Sequence, residues 1–128
     1  MVIAGRTLER AQKLAEDIGC RAVKWGQRYT VKPDVIVNAT PIGMHPNVDE
    51  TPYEMHHLKP HMLVFDTVYN PEQTLLHKEA RKRSCRVISG VEMFVNQAAL
   101  QFSLFTGLDA PVDSMHDEVK RAIGAARY

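Results

Sequence analysis

The chain has 128 residues, 45% of them hydrophobic and 24% charged, with 16 basic against 15 acidic side chains and a formal net charge of +1. These values fit one folded domain rather than a disordered chain, and the near balance of charge provides no general field for nucleic acid or an anionic membrane. No apolar run reaches the roughly 20 residues of a bilayer span and no basic-then-apolar leader opens the chain, so a cytoplasmic protein is expected.

The run VIA after Met1 is short, apolar and β-branched, which suits a buried strand. Thr7 stands where it can cap a following helix and Gly19 where it can end one; Leu8, Ala11, Leu14, Ala15 and Ile18 form its apolar stripe. RAVKW reads as a second strand and GQRYTVKP as a loop. DVIVN, Asp34 to Asn38, is continuous rather than alternating, which predicts a strand buried on both faces. Residues 39–61 carry four prolines and read as a long loop with at most one helical turn. MLVFD is the next strand. Asn70-Pro71 predicts a helix start, because asparagine caps well and proline gives up an amide that the first turn leaves orphaned, and the helix runs to about Arg83. CRVIS is a strand, and Gly90 leads into a helix that Gly107 and Pro111 stop. A last amphipathic helix starts at Asp113, with Met115, Val119, Ala122, Ile123 and Ala126 on one face. Cys20 and Cys85 share no motif spacing and read as reduced core residues.

Strands alternating with helices predict an α/β, Rossmann-like, doubly wound parallel sheet. Ligands bind such sheets beyond the carboxyl ends of the strands, here Gly5-Arg6-Thr7, Asn38 to Pro41, Asp66 to Asn70 and Ser89-Gly90. Arg6 and Arg10 flank the positive end of the first helix, a placement that is mildly unfavourable unless an anion joins them. Two readings stay open: solvated arginines partly offset by Glu9, or a phosphate site made with the Thr7 hydroxyl and the helix amides.

The tripeptide GRT, then NATPIGM, VFDTVYNP and SGVEMFVNQAALQF occur in an order that resembles the shikimate dehydrogenases over nearly the whole chain. PNVDETP and EMFVNQA resemble in particular the dehydrogenase half of fused dehydroquinate dehydratase/shikimate dehydrogenase enzymes. The resemblance implies an oxidoreductase that reduces 3-dehydroshikimate to shikimate with NADPH in aromatic amino acid biosynthesis. It places the adenosine-phosphate motif on Arg6, Thr7 and Arg10, with Gly5 where the family has asparagine, so NADP preference is expected to survive with some loss of affinity. It lays Asn38, Ala39 and Thr40 along the cofactor, puts Thr67, Gly90 and Met93 around the nicotinamide, and gives Tyr69 and Gln97 to shikimate.

The family's nucleotide domain starts one strand earlier, with a glycine-rich turn and a helix, behind a substrate domain that carries the proton-transferring lysine and its aspartate partner. No G-x-G-x-x-G occurs in the chain. Residues 1–128 are therefore expected to be a partial NADP-binding domain, inactive alone, with no catalytic acid or base assigned. In strand order 3-2-1-4-5-6 the absent strand is central, so two unpaired edges and self-association are expected. A non-catalytic nucleotide-binding or assembly module, and quinate in place of shikimate, are the alternatives.

His56, His57 and His61 invite a metal reading, but Pro60 interrupts their helix and no cysteine or well-spaced carboxylate completes a site, so they read as surface histidines. The cations of ARKR, Ala80 to Arg83, complement a helix C-terminus and need no nucleic acid. Gln101 reads as a solvated residue, and Asp66 as the residue that fixes the turn after its strand.

Overall fold

In the computed structural model, which describes residues 1–125, the opening apolar run forms β1 (Val2–Gly5), followed by α1 (Leu8–Asp17) and β2 (Arg21–Lys24). These belong to the first of two compact units, Met1–Pro33; the second begins at Asp34. β1 and β2 pair in parallel, Val2 opposite Arg21 and Gly5 opposite Lys24. α1 covers them through Ala11 and Ala15, whose small side chains are buried, while Leu14 and Ile18 of the expected stripe are exposed. Gly19 ends the helix in the left-handed region (φ 69°), a conformation that costs glycine little. The expected loop 26–33 is partly ordered as a 3-10 segment, Trp25–Thr30. There the Arg28 guanidinium lies 4.2 Å from the Trp25 ring centroid and 4.1 Å from that of Tyr29, and donates to the Trp25 carbonyl at 2.7 Å.

The second unit holds a three-stranded parallel sheet, β3 (Val35–Asn38), β4 (Leu63–Asp66) and β5 (Arg86–Ile88), in that spatial order. Register pairs Val35 with Leu63 and Asn38 with Asp66, then Leu63 with Arg86. The chain is thus all-parallel α/β, as expected, but its strands form two hydrogen-bonded sheets rather than one. β1 pairs only with β2 and β3 only with β4. β3 also departs from the doubly buried strand that its continuous apolar run suggested. Val35 and Val37 are 53% and 54% exposed, so among the described residues of this unit the face they share is left largely uncovered.

Residues 39–61 form the long connection, with one 3-10 turn at Met55–His57. Leu58, Met62, Val64, Val68, Leu76 and Ala80 are buried between the sheet and α2 (Leu75–Lys82), each large apolar side chain contributing roughly 1.5–3 kcal/mol of burial. α2 starts four residues later than Asn70-Pro71 suggested, at Leu75 rather than Pro71. Its N-cap is Thr74, whose hydroxyl accepts from the His77 amide at 3.2 Å while donating into the buried Asp66 carboxylate at 2.6 Å. That tertiary bond, invisible in local sequence, decides the cap.

α3 (Gly90–Thr106) opens with a capping box, Ser89 accepting from the Glu92 amide at 3.2 Å and its own amide donating to the Glu92 carboxylate at 2.8 Å. Gly107 closes it at φ 69°. α4 (Val112–Ala125) packs Ile123, Met115 and Val119 against Val91 and Val95 of α3. Ala122 of the expected stripe is exposed, and Ala126 lies outside the described residues. Cys85 is buried and Cys20 partly so, both free thiols; burial pushes the Cys85 thiol up, against the partly opposing charge of Arg83. Among the described residues no helix is long and apolar enough to cross a membrane.

Candidate functional site

One buried carboxylate ties together the turns beyond β3 and β4. Asn38 and Asp66, register partners at the carboxyl end of the sheet, are 3% and 1% exposed. Asp66 Oδ1 accepts from Asn38 Nδ2 and from the Val68 amide, both at 3.0 Å, and its Oδ2 accepts from Thr74. With three donors on its two oxygens, the buried Asp66 carboxylate acts as a structural hub.

Asn38 is equally engaged. Its Nδ2 also donates to the Ile42 carbonyl at 3.2 Å, and its Oδ1 accepts from the Thr40 amide at 3.0 Å and the Thr40 hydroxyl at 2.7 Å. The Thr67 amide and hydroxyl both donate to the Asn38 carbonyl, at 3.0 and 2.8 Å. Three residues singled out from sequence, Asn38, Thr40 and Thr67, are therefore one network, with Ala39 exposed at its tip. Thr74, which caps α2 and completes the hub, is the residue that sequence reading missed; its one local signal is a threonine just before an apolar pair.

Gly90 lies against the same turn. A Cβ there would sit 2.3 Å from the Val68 carbonyl oxygen and 2.7 Å from that of Thr67. Only glycine lets the start of α3 approach this backbone so closely. Along α3, Met93 is half-buried, and Phe94 stacks on Tyr69 with ring centroids 4.9 Å apart. Tyr69 stays 42% exposed beyond β4. Gln97 is exposed, its amide donating to the Phe94 carbonyl at 3.0 Å and its Oε1 accepting from Gln101 at 2.7 Å. A cavity of about 230 Å³ between α2, α3 and α4 is lined by Glu72, His77, Arg81, Glu92 and Lys120, together with Ser89 just beyond β5.

The remaining candidates belong to the first unit. Thr7 occupies the N-cap of α1 in an extended conformation, yet its hydroxyl makes no capping bond, and Arg6, Thr7 and Arg10 are all exposed. The start of α1 is thus without a side-chain cap, with one exposed arginine just before it and another in its first turn, an arrangement suited to a phosphate. At Gly5 a Cβ would meet Ala11 Cβ at 3.4 Å, an ordinary contact, so packing tolerates a side chain there.

The arrangement has known counterparts. Residues 90–120 match the family model described as the shikimate 5'-dehydrogenase C-terminal domain. The bifunctional 3-dehydroquinate dehydratase/shikimate dehydrogenase of Arabidopsis thaliana is 48% identical over 114 residues, which cover 87% of this chain and 19% of that protein. The shikimate dehydrogenase (NADP(+)) of Methanopyrus kandleri is 42% identical, over 93% of this chain and 45% of that one. A crystal structure of a shikimate dehydrogenase in complex with NADP+ superposes with a TM-score of 0.84 at 34% identity, covering 95% of this chain and 46% of that one. The chain is thus similar to shikimate dehydrogenases over nearly its whole length. It spans less than half the length of these relatives.

Proposed function

We propose that this chain is the NADP-binding portion of a shikimate dehydrogenase, an oxidoreductase that converts 3-dehydroshikimate and NADPH to shikimate and NADP+. The observation that carries the reading is the start of α1, where Arg6, Arg10 and the uncapped Thr7 hydroxyl offer an exposed cationic donor set to a phosphate monoester. In the second unit, bare Gly90 lets the start of α3 approach the Thr67–Val68 backbone closely, and Thr67 and Met93 are each partly exposed. These residues fit a dinucleotide with a 2′-phosphate. When bound, the nicotinamide supplies the hydride chemistry. The chain's own residues bind and orient: Arg6 and Arg10 select the phosphate, the Asn38–Thr40 turn supports the cofactor, and Tyr69 and Gln97 reach the hydroxyls and carboxylate of shikimate.

No residue here is assigned proton transfer, and the 128-residue chain is expected to oxidise no shikimate by itself. Calorimetric titration with NADP+ and NAD+ tests the phosphate site. The expected result is NADP+ preference that Arg6→Asp abolishes; an unchanged NADP+ to NAD+ ratio in that variant refutes it. Self-association of the chain belongs to the same proposal, supported by the exposed valines of β3 and by Leu104 and Phe105 of α3, 78% and 86% exposed.

A further inference from the structure

The 3-10 turn at Met55–His57, which contains none of the residues given to the cofactor or substrate, gathers a ligand set that the histidine spacing alone did not supply. Among the described residues, Glu54, His56 and His57 are the one group of three whose potential ligand atoms all lie within 4.8 Å of one another. His61, which sequence grouped with the two histidines, instead lies 4.0 Å from Asp34. The carboxylate that the sequence reading lacked is Glu54, whose Oε2 is 3.4 Å from His56 Nδ1. We propose that Glu54, His56 and His57 bind one divalent first-row transition metal of the Zn²⁺ class, with Glu79 of α2 as the adjoining second carboxylate.

The geometry is near that of a formed site. Metal–ligand bonds of about 2.0–2.2 Å in a tetrahedron set ligand atoms roughly 3.4 Å apart. The Glu54–His56 pair already has that separation, and no distance in the group, all within 4.8 Å, must close by more than about 1.4 Å. Glu54 and His56 are exposed and the His56 and His57 rings lie 4.0 Å apart, so a modest side-chain rotation suffices. Mixed imidazole and carboxylate donors suit Zn²⁺, Co²⁺, Ni²⁺ or Cu²⁺ rather than Ca²⁺ or Mg²⁺.

Glu79 supplies an independent indication. Its Oε2 is a buried side-chain oxygen without a hydrogen-bond partner among the described residues, on a helix that touches this 3-10 turn. The negative charge of Glu54 acts on Glu79. A cation between them relieves two like charges and an orphaned oxygen together. Such a metal ties the long 39–61 connection to α2.

The test is titration of the 128-residue chain, without affinity tag, with Zn²⁺ by calorimetry and with Co²⁺ by visible absorption. One saturable site is expected, weakened at least about tenfold by His56→Ala, by His57→Ala and by Glu54→Gln, and weakened by Glu79→Gln. No saturable site at millimolar Zn²⁺ overturns the proposal, as does wild-type affinity in His56→Ala or loss of binding in His61→Ala. Circular dichroism reports folding, and if His57→Ala unfolds, the exposed His56→Ala and Glu54→Gln decide.

Discussion

Gly90→Ala makes the sharpest test of how the candidate site is assembled. The added methyl would stand 2.3 Å from the Val68 carbonyl oxygen, 2.5 Å from its carbon and 2.7 Å from the Thr67 oxygen, and real Cβ contacts do not fall below 3.0 Å. All three neighbours are backbone, so no side chain can swing aside; α3 and the turn must separate by about 0.7 Å, the difference between 3.0 and 2.3 Å. The Thr67 amide and hydroxyl bonds to Asn38, at 3.0 and 2.8 Å, stretch to or beyond their limit under such a shift. Overpacking of this kind costs about 1–3 kcal/mol and each weakened hydrogen bond about 1 kcal/mol, which gives a loss of about 3 kcal/mol. For a chain of this size that lowers Tm by roughly 10 °C, measurable by calorimetry. Gly107→Ala is the control: it has φ 69° but nothing within 4 Å of its Cβ position, and should lose only about 1 kcal/mol from conformation. A Gly90→Ala melt within about 2 °C of wild type, or no more affected than Gly107→Ala, refutes the close-approach argument.

Further outcomes follow from the hub, the buried glutamate and the exposed apolar surface. Asp66→Ala strands the Val68 amide and Thr74 hydroxyl in the interior and should cost about 3–5 kcal/mol in urea denaturation, whereas Asp66→Asn keeps an acceptor for Asn38 and Val68 and should cost less; equal stabilities contradict the hub. The Glu79 carboxyl lies above its ordinary value of 4.5 because of desolvation, with Lys82 opposing and Glu54 adding to the rise. The folded state therefore holds that proton more tightly than the unfolded one, and stability falls as pH rises from the ordinary carboxyl range through the raised value. Glu79→Gln does not titrate, so in metal-free buffer its Tm advantage over wild type should grow through that window; a constant or shrinking difference rejects the assignment. By size exclusion with light scattering the chain should exceed monomer mass, and Leu104→Lys with Phe105→Lys should lower it; a clean wild-type monomer sinks the self-association proposal.

The second unit shows where local reading succeeded and where it stopped. Gly90 opens α3 and Gly107 closes it as read from sequence, because a left-handed glycine at a helix end is satisfied within a few residues; sequence reading missed the Ser89 capping box. The start of α2 was misplaced because Asn70-Pro71 is a good local signal while the actual cap, Thr74, is selected by Asp66, eight positions earlier in sequence and adjacent in space. The valines of β3 misled because apolar content predicts a preference for burial, and burial itself depends on what covers the face.

By itself, then, the amino-acid order determined the alternation of strands and helices, their parallel class, the glycine boundaries and the resemblance to shikimate dehydrogenases, since periodicity, capping and turn chemistry act over a few residues. Only the tertiary structure decided that Asp66 joins Asn38, Val68 and Thr74, that Gly90 must remain bare, and that Glu54 rather than His61 completes the histidine pair. Those depend on contacts between segments brought together by the register of β3 against β4 and the docking of α2 and α3, and register is a property of the packed sheet rather than of either strand.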